Sequence, residues 1–189
     1  MPRKISVQKE EIIAAGLRLI QEEGWPAVGI RSVARAAGCS TQPVISHFPT
    51  LEDLRAALWQ AANDLQEKRL FDIAPDANFL LQIGVNYVRF ALEEPQLFQA
   101  IFDSNWNKPT PLSSMLADPA LKPVLEAVMQ ESGLEERQAL QAFEILSMFL
   151  HGYASLAASG QMEADLEAFQ KDLTLLFEAL QEKMLFQKR

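Results

Sequence analysis

Residues 30–54, IRSVARAAGCSTQPVISHFPTLEDL, constrain the fold of this chain more than any other stretch. Val33, Ala34 and Ala37 recur at three- and four-residue spacing, the apolar face of a short helix. Gly38 ends it, because the turn that follows needs a residue tolerant of positive φ. Ser40 and Thr41 offer N-caps for a second helix, and Pro43 falls in its first turn, where a missing N–H costs nothing. Val44 and Phe48 then supply its buried side. Helix, glycine-containing turn, helix is the outline of a helix-turn-helix, whose second member lies in a DNA major groove. Many small helical corners share that outline, so the flanking sequence has to decide.

Upstream, Ser6 is expected to cap a helix running to about Glu23, with Ile13, Leu17 and Ile20 on one stripe and Gly24 as its stop. Trp25, Val28 and Ile30 close a small core. Downstream, Thr50-Leu51-Glu52-Asp53 resembles a capping box with Asp in the Glu position, so a long helix starts near Leu51 and runs towards Phe71. From there the pattern is helical throughout, with no strand alternation. Asp76 caps a helix through Val85, Tyr87, Val88 and Leu92, Glu94-Pro95 breaks it, and QLFQAIF continues as a shorter one. Residues 104–118 are irregular, since Pro109 and Pro111 inside them and Pro119 just after forbid a regular helix. A helix from about Pro123 to Ser132 ends at Gly133, and two long ones follow over 134–159 and 163–186, separated by Ser159-Gly160. The fold class is all-α, with about nine helices.

The last two helices carry a second pattern. Ala139, Phe143, Leu146, Leu150, Tyr153 and Ala157 step by four and three, and Leu166, Phe169, Leu173, Leu176, Leu180 and Met184 nearly repeat it. Leu156, Leu175 and Phe177 lie beside these seams, more apolar surface than one stripe requires. The pair is expected to pack on its own body and on its copy, as a four-helix interface of a homodimer through Phe143, Leu146, Leu150, Phe169, Leu173, Leu176 and Leu180.

Charge is divided unevenly. The net charge of −8 opposes a nucleic-acid partner for the chain as a whole. Residues 1–50, however, carry six Lys/Arg against four Glu, and the remaining 139 residues carry 11 against 21. A weakly basic head on an acidic body confines DNA to one end and makes its binding salt-dependent. One cysteine excludes an internal disulfide, and no apolar run suggests a signal peptide or a membrane span, so a cytoplasmic setting is expected. Two histidines, no G-x-S-x-G, no glycine-rich phosphate loop and no metal-spaced cluster give catalysis, a metal or a cofactor no footing.

Residues 12–58 closely resemble the DNA-binding head of the tetracycline-repressor (TetR/AcrR) family. The likeness runs through IIAAGLRLIQEEGW, IRSVARAAGCS, His47-Phe48 and Leu51-Glu52-Asp53-Leu54, in matching order and spacing. More loosely, YVRFALEEPQLFQAIF and FLHGYASLAASG are similar to the subset of the family whose effector domain carries a Trp-His-Gly-like motif, with Leu150 in place of the Trp. The resemblance implies a helix-turn-helix DNA-binding domain over 1–50 and a helical effector-binding and dimerisation domain over 51–189. It also implies a small-molecule pocket in the body and a relay to the head through the helix beginning at Leu51. Two positions depart from the family. Ile45 stands where the family usually has Tyr, and Leu51 where it usually has Lys, both phosphate-binding residues.

On the second helix of the corner, Thr41, Gln42, Pro43 and Ser46 are the candidates for reading bases. Gln pairs with adenine at two points, and Thr and Pro offer carbon contact to thymine. Arg31, Ser32, Ser40, His47 and Thr50 are the candidates for phosphate contact, and Arg3 and Lys4 for an N-terminal arm. For a small, apolar effector the candidates are Tyr87, Phe90, Phe98, Phe102, Trp106, Met115, Met129, Phe149 and Tyr153, although the same residue types fill cores equally well. His151 is expected to be buried with one hydrogen bond, and Cys39 to be a small apolar plug. The chain therefore reads as a ligand-responsive homodimeric regulator, a repressor on a palindromic operator. The alternative is a binding protein of the same fold whose head no longer reads DNA and which acts through a ligand or protein partner.

Overall fold

The computed structural model describes residues 7–74, 78–102 and 121–186. Among these it contains nine α-helices and no strand: α1 (Lys9–Glu23), α2 (Ile30–Ala36), α3 (Thr41–His47), α4 (Leu51–Leu70), α5 (Phe79–Glu93), α6 (Pro95–Phe102), α7 (Lys122–Ser132), α8 (Glu136–Ala158) and α9 (Leu166–Phe186), with a short 3-10 turn at Trp25–Ala27. The all-α expectation holds. No described helix is long and apolar enough to cross a membrane.

The chain divides into two compact units, residues 1–66 with 94–107, and residues 67–93 with 108–189. This division differs from the expected boundary at residue 50. Most of α4 belongs with the head, and so does α6, which packs on α1. The reason lies in α4's buried face. Leu54, Leu58 and Ala62 are fully buried, and a Cβ placed on Gly16 of α1 would lie 2.4 Å from Leu58 Cδ2. The Leu58 side chain of α4 fills the space over Gly16, so a larger residue there would have to displace it. Trp59 Nε1 also donates to the Ile101 carbonyl of α6 at 3.1 Å.

In the first unit α1 is capped at Gln8, whose N–H donates to Glu11 Oε2 at 2.7 Å; Ser6 lies outside the described residues. Its buried stripe is Ile12, Ala15, Gly16, Leu19 and Ile20. The expected stripe through Ile13 and Leu17 is off by one position, and both residues are only half-buried. A 15-residue helix carrying Ile-Ile and Leu-Arg-Leu-Ile supports two neighbouring stripes, and the contact with Leu58 selects between them. Gly24 (φ 80°) stops the helix as expected.

In the second unit α5 packs against α8, α9 and α7. Gly84 of α5 is again a close approach: its Cβ would meet Leu173 Cδ2 at 2.5 Å and Leu150 Cδ2 at 3.2 Å. Val128, Leu134, Ala139, Ala142 and Met184 form one apolar cluster, and Ile83, Val124 and Phe143 another. Asn78 caps α5 through its Oδ1 and the Leu81 N–H, 2.9 Å apart; the expected cap Asp76 lies outside the described residues, as does the irregular stretch 104–118. Asp165 Oδ1 accepts from the N–H groups of Glu167 and Ala168, both at 3.0 Å, so α9 starts at Leu166, not near 163. Gly133 (φ 68°) and Gly160 (φ 70°) separate the last three helices where the sequence expects them to.

Candidate nucleic-acid interface

The corner between α2 and α3 is built by backbone hydrogen bonds on a positive-φ glycine. Ala37 N–H donates to Val33 O, Gly38 N–H to Arg35 O and Cys39 N–H to Ala34 O, at 2.9, 3.1 and 3.0 Å. Gly38 sits at φ 66°, where an L side chain would be strained. Val33 and Ala34 on one side and Val44 and Phe48 on the other close the core beneath the turn, at 2% exposure or less. The half-buried Cys39 occupies the turn itself.

With Val44 fixed inward, the periodicity of α3 places its other residues. Gln42 and Ser46 lie about 160° from Val44, on the outermost line, with Ile45 and Pro43 about 100° away on the two flanks. Exposure agrees: Gln42 and Ser46 are exposed, Ile45 is 40% exposed, and Thr41 and Pro43 are half-buried. The Ser46 hydroxyl donates back to the Gln42 carbonyl at 2.9 Å, which leaves the Gln42 amide as the outward donor and acceptor pair of this face.

The expected phosphate contacts divide into two groups. Arg31 and Ser40 are exposed, and Ser40, at the N-cap position of α3, makes no side-chain capping bond. The others hold local structure. Ser32 Oγ lies 2.6 Å from Ala27 O, to which it donates, and accepts from Gly29 N–H at 3.0 Å, so it ties the start of α2. Thr50 and Asp53 form the expected capping box. The Thr50 hydroxyl and N–H both donate to Asp53 Oδ2 (2.8 and 3.0 Å), and Asp53 N–H donates to Thr50 Oγ1 at 3.1 Å. A carboxylate so close opposes a phosphate at Thr50. His47 Nε2 lies 3.2 Å from the Val7 carbonyl, and Lys9 Nζ stands 5.6 Å above the Phe48 ring. The N-terminal segment is thereby tied to the end of α3. Arg3 and Lys4 lie outside the described residues.

The effector candidates do not converge on one wall. Phe98 and Phe102, 4.8 Å apart by ring centroid, belong to the first unit. Phe149 and Tyr153 pack on Phe169 at 5.8 and 4.6 Å, and Tyr153 OH donates to the Asp165 carbonyl while accepting from its N–H, closing the α8–α9 connection. Met129 packs on the cluster around Val128, and Phe90 is buried at 2% exposure. Tyr87 OH lies 3.0 Å from His151 Nδ1, a part-buried pair that joins α5 to α8. Trp106 and Met115 lie outside the described residues. A shallow depression runs along the outer face of α9, at Glu167, Lys171, Leu175 and Glu178, and none of these candidates lines it. Among the described residues no group of three His, Cys, Asp or Glu is arranged to hold a metal ion.

The seam expected to pair with a second copy is used in part within its own unit. Phe169 is fully buried and Leu173 and Phe143 nearly so, within their own unit, and Leu146, Leu150, Leu176 and Leu180 are half-buried. Gly84 lets α9 settle onto α5, and that contact takes up Leu173 and part of Leu150. The apolar residues left outside on these helices are Met148 (60% exposed), Leu156 (45%), Leu175 (65%) and Leu185 (38%). Met148 and Leu156, eight residues apart, share one face of α8; their signal in the sequence is surplus apolar residues beside the seam.

Two family models match the chain. One, described as bacterial regulatory proteins of the tetR family, covers residues 12–58; the other, described as the tetracyclin repressor-like C-terminal domain, covers residues 80–182. An uncharacterised HTH-type transcriptional regulator of Mycobacterium tuberculosis is 28% identical over 187 residues, spanning 96% of this chain and 84% of that protein. Among solved structures, a tetR-family transcriptional regulator from Streptomyces coelicolor superposes with a TM-score of 0.68 at 20% identity, over 93% of this chain and 87% of that one. A TetR variant from Acinetobacter baumannii in complex with minocycline gives 0.62 at 20% identity, over 94% and 98%.

Proposed function

We propose that this chain, which belongs to the tetracycline-repressor family of DNA-binding transcriptional regulators, is a homodimeric repressor that a small apolar molecule releases from a palindromic operator. The observation that carries the reading is α3. Its apolar side is sealed into the head by Val44 and Phe48, while Gln42 and Ser46 stand outermost, where a major-groove helix needs hydrogen-bonding side chains. Gln42 reads an adenine, and Thr41 and Pro43 sit at the rim of the groove. Arg31 and Ser40 contact phosphates.

One such helix covers too few base pairs for useful selectivity, so two heads act on half-sites about 34–36 Å apart. The second copy docks on α8 and α9, where Met148, Leu156 and Leu175 are exposed. The effector enters the second unit beside the Tyr87–His151 pair. It shifts the dimer towards a head spacing that no longer fits the operator, by the difference of its affinities for the two states. The minocycline complex of the Acinetobacter TetR variant supports a small molecule as the class of effector. Such a protein works in the cytoplasm, where it meets the chromosome.

A salt-titrated gel shift on the DNA upstream of its own gene tests this. A sequence-selective complex that weakens with salt is expected. The absence of any salt-sensitive, sequence-selective complex would favour the second reading, a head that has stopped reading DNA, for which Ile45 and Leu51 are the evidence.

A further inference from the structure

We infer that Ile45 is a base-reading residue that recognises the C5-methyl group of a thymine next to the base pair addressed by Gln42. This inference rests on the DNA-reading role proposed above for α3. Ile45 is the only large apolar residue of the first unit, among the described residues, that stands exposed; the others are on α8 and α9. Its place is on the rim of the outward face of α3, about 60° round the helix from Gln42 and roughly 4.5 Å further along the axis. Successive base pairs of a duplex are about 3.4 Å apart. A helix that sets Gln42 against one pair therefore sets Ile45 against its neighbour.

The chemistry then narrows to one partner. An isoleucine side chain neither donates nor accepts a hydrogen bond, so it cannot serve a phosphate oxygen or the polar edge of a purine. The thymine methyl is the apolar group that the major groove displays. Ser46, the other exposed neighbour on this face, is already bonded to the Gln42 carbonyl. Ile45 and Gln42 together would select a step in which an adenine and a thymine occupy adjacent pairs.

An operator of unknown sequence is no obstacle to the test. A duplex is enriched from a random pool with the full-length wild-type protein, and each thymine in it is replaced in turn by deoxyuridine, which removes only the methyl group. One position per half-site is expected to lose about fourfold in affinity, the value of one buried methyl-sized group. Ile45→Ala, checked for an unchanged thermal melt, should bind the parent duplex more weakly and be indifferent to deoxyuridine at that position. Gln42→Ala should retain the penalty there. If no deoxyuridine weakens binding, or Ile45→Ala shows the same penalty as wild type, the inference is wrong while DNA reading stands. If the pool yields no enriched sequence, DNA reading itself fails and the role of Ile45 falls with it.

Discussion

Gln42 and Arg31 are both exposed and both polar, yet they should fail differently. Gln42→Ala removes the side chain proposed to make a two-point contact to one base. It is expected to relax selectivity at a single operator position by about 1–3 kcal/mol, seen in binding to a set of single-base variants. Arg31→Ala removes the charge proposed to meet phosphate, so all sequences are expected to weaken alike and the log–log salt slope to fall by roughly 0.9 per head. Equal, sequence-blind losses in both would remove Gln42 from the reading face. A third residue acts on stability alone. Desolvation on α7 raises the Glu131 carboxyl above its ordinary value, so the folded state holds that proton to higher pH than the unfolded chain does. Stability is then lost as pH rises from about 4.3, the unfolded value, through the native one. Glu131→Gln should raise the melting temperature at neutral pH and leave it unchanged well below pH 4. The residue is largely exposed, so the gain is small. A gain equal at both pH values would contradict this origin.

At the scale of elements, two local devices set where α4 starts and how closely it packs. The Thr50–Asp53 box caps its first turn. Thr50→Ala should cost about 0.5–2 kcal/mol in chemical denaturation. It should leave the salt slope of DNA binding unchanged, because that hydroxyl is engaged with Asp53. The seating of the Leu58 side chain over Gly16 is the second device. Gly16→Ala puts a methyl where Leu58, itself fully buried, already sits. It is expected to destabilise by about 1–3 kcal/mol, although alanine is the better helix former. A neutral or stabilising Gly16→Ala, read from the denaturation midpoint, would mean that the two helices leave room for a methyl between them. The cap was legible in four consecutive residues. The glycine contact was not, because its partner lies 42 positions away and nothing local marks it.

At the scale of the whole molecule, the proposed dimer surface centres on the exposed apolar set on α8 and α9. Met148→Glu combined with Leu175→Glu should convert the dimer to a folded monomer in sedimentation. The same change should weaken operator binding at protein concentrations where one head cannot hold alone. Leu173→Glu, by contrast, should unfold the second unit, since it introduces an unpaired charge at a position 6% exposed. If the surface pair left the sedimentation of the dimer unchanged, the interface would lie elsewhere.

The helical class, the corner at Gly38, the cap at Thr50 and the breaks at Gly24, Gly133 and Gly160 were all legible in the order of residues alone. Each depends on residues within a few positions of one another, where turn geometry and periodicity leave little choice. It took packing in three dimensions to select which of two adjacent stripes of α1 faces inward, to group most of α4, and α6, with the head, and to bury Phe143, Phe169 and Leu173 of the α8–α9 seam within their own unit. Those outcomes depend on Gly16 meeting Leu58 and Gly84 meeting Leu173. A spacing of three and four residues shows that a helix has an apolar side, but the burying partner is chosen by packing between residues distant in the chain.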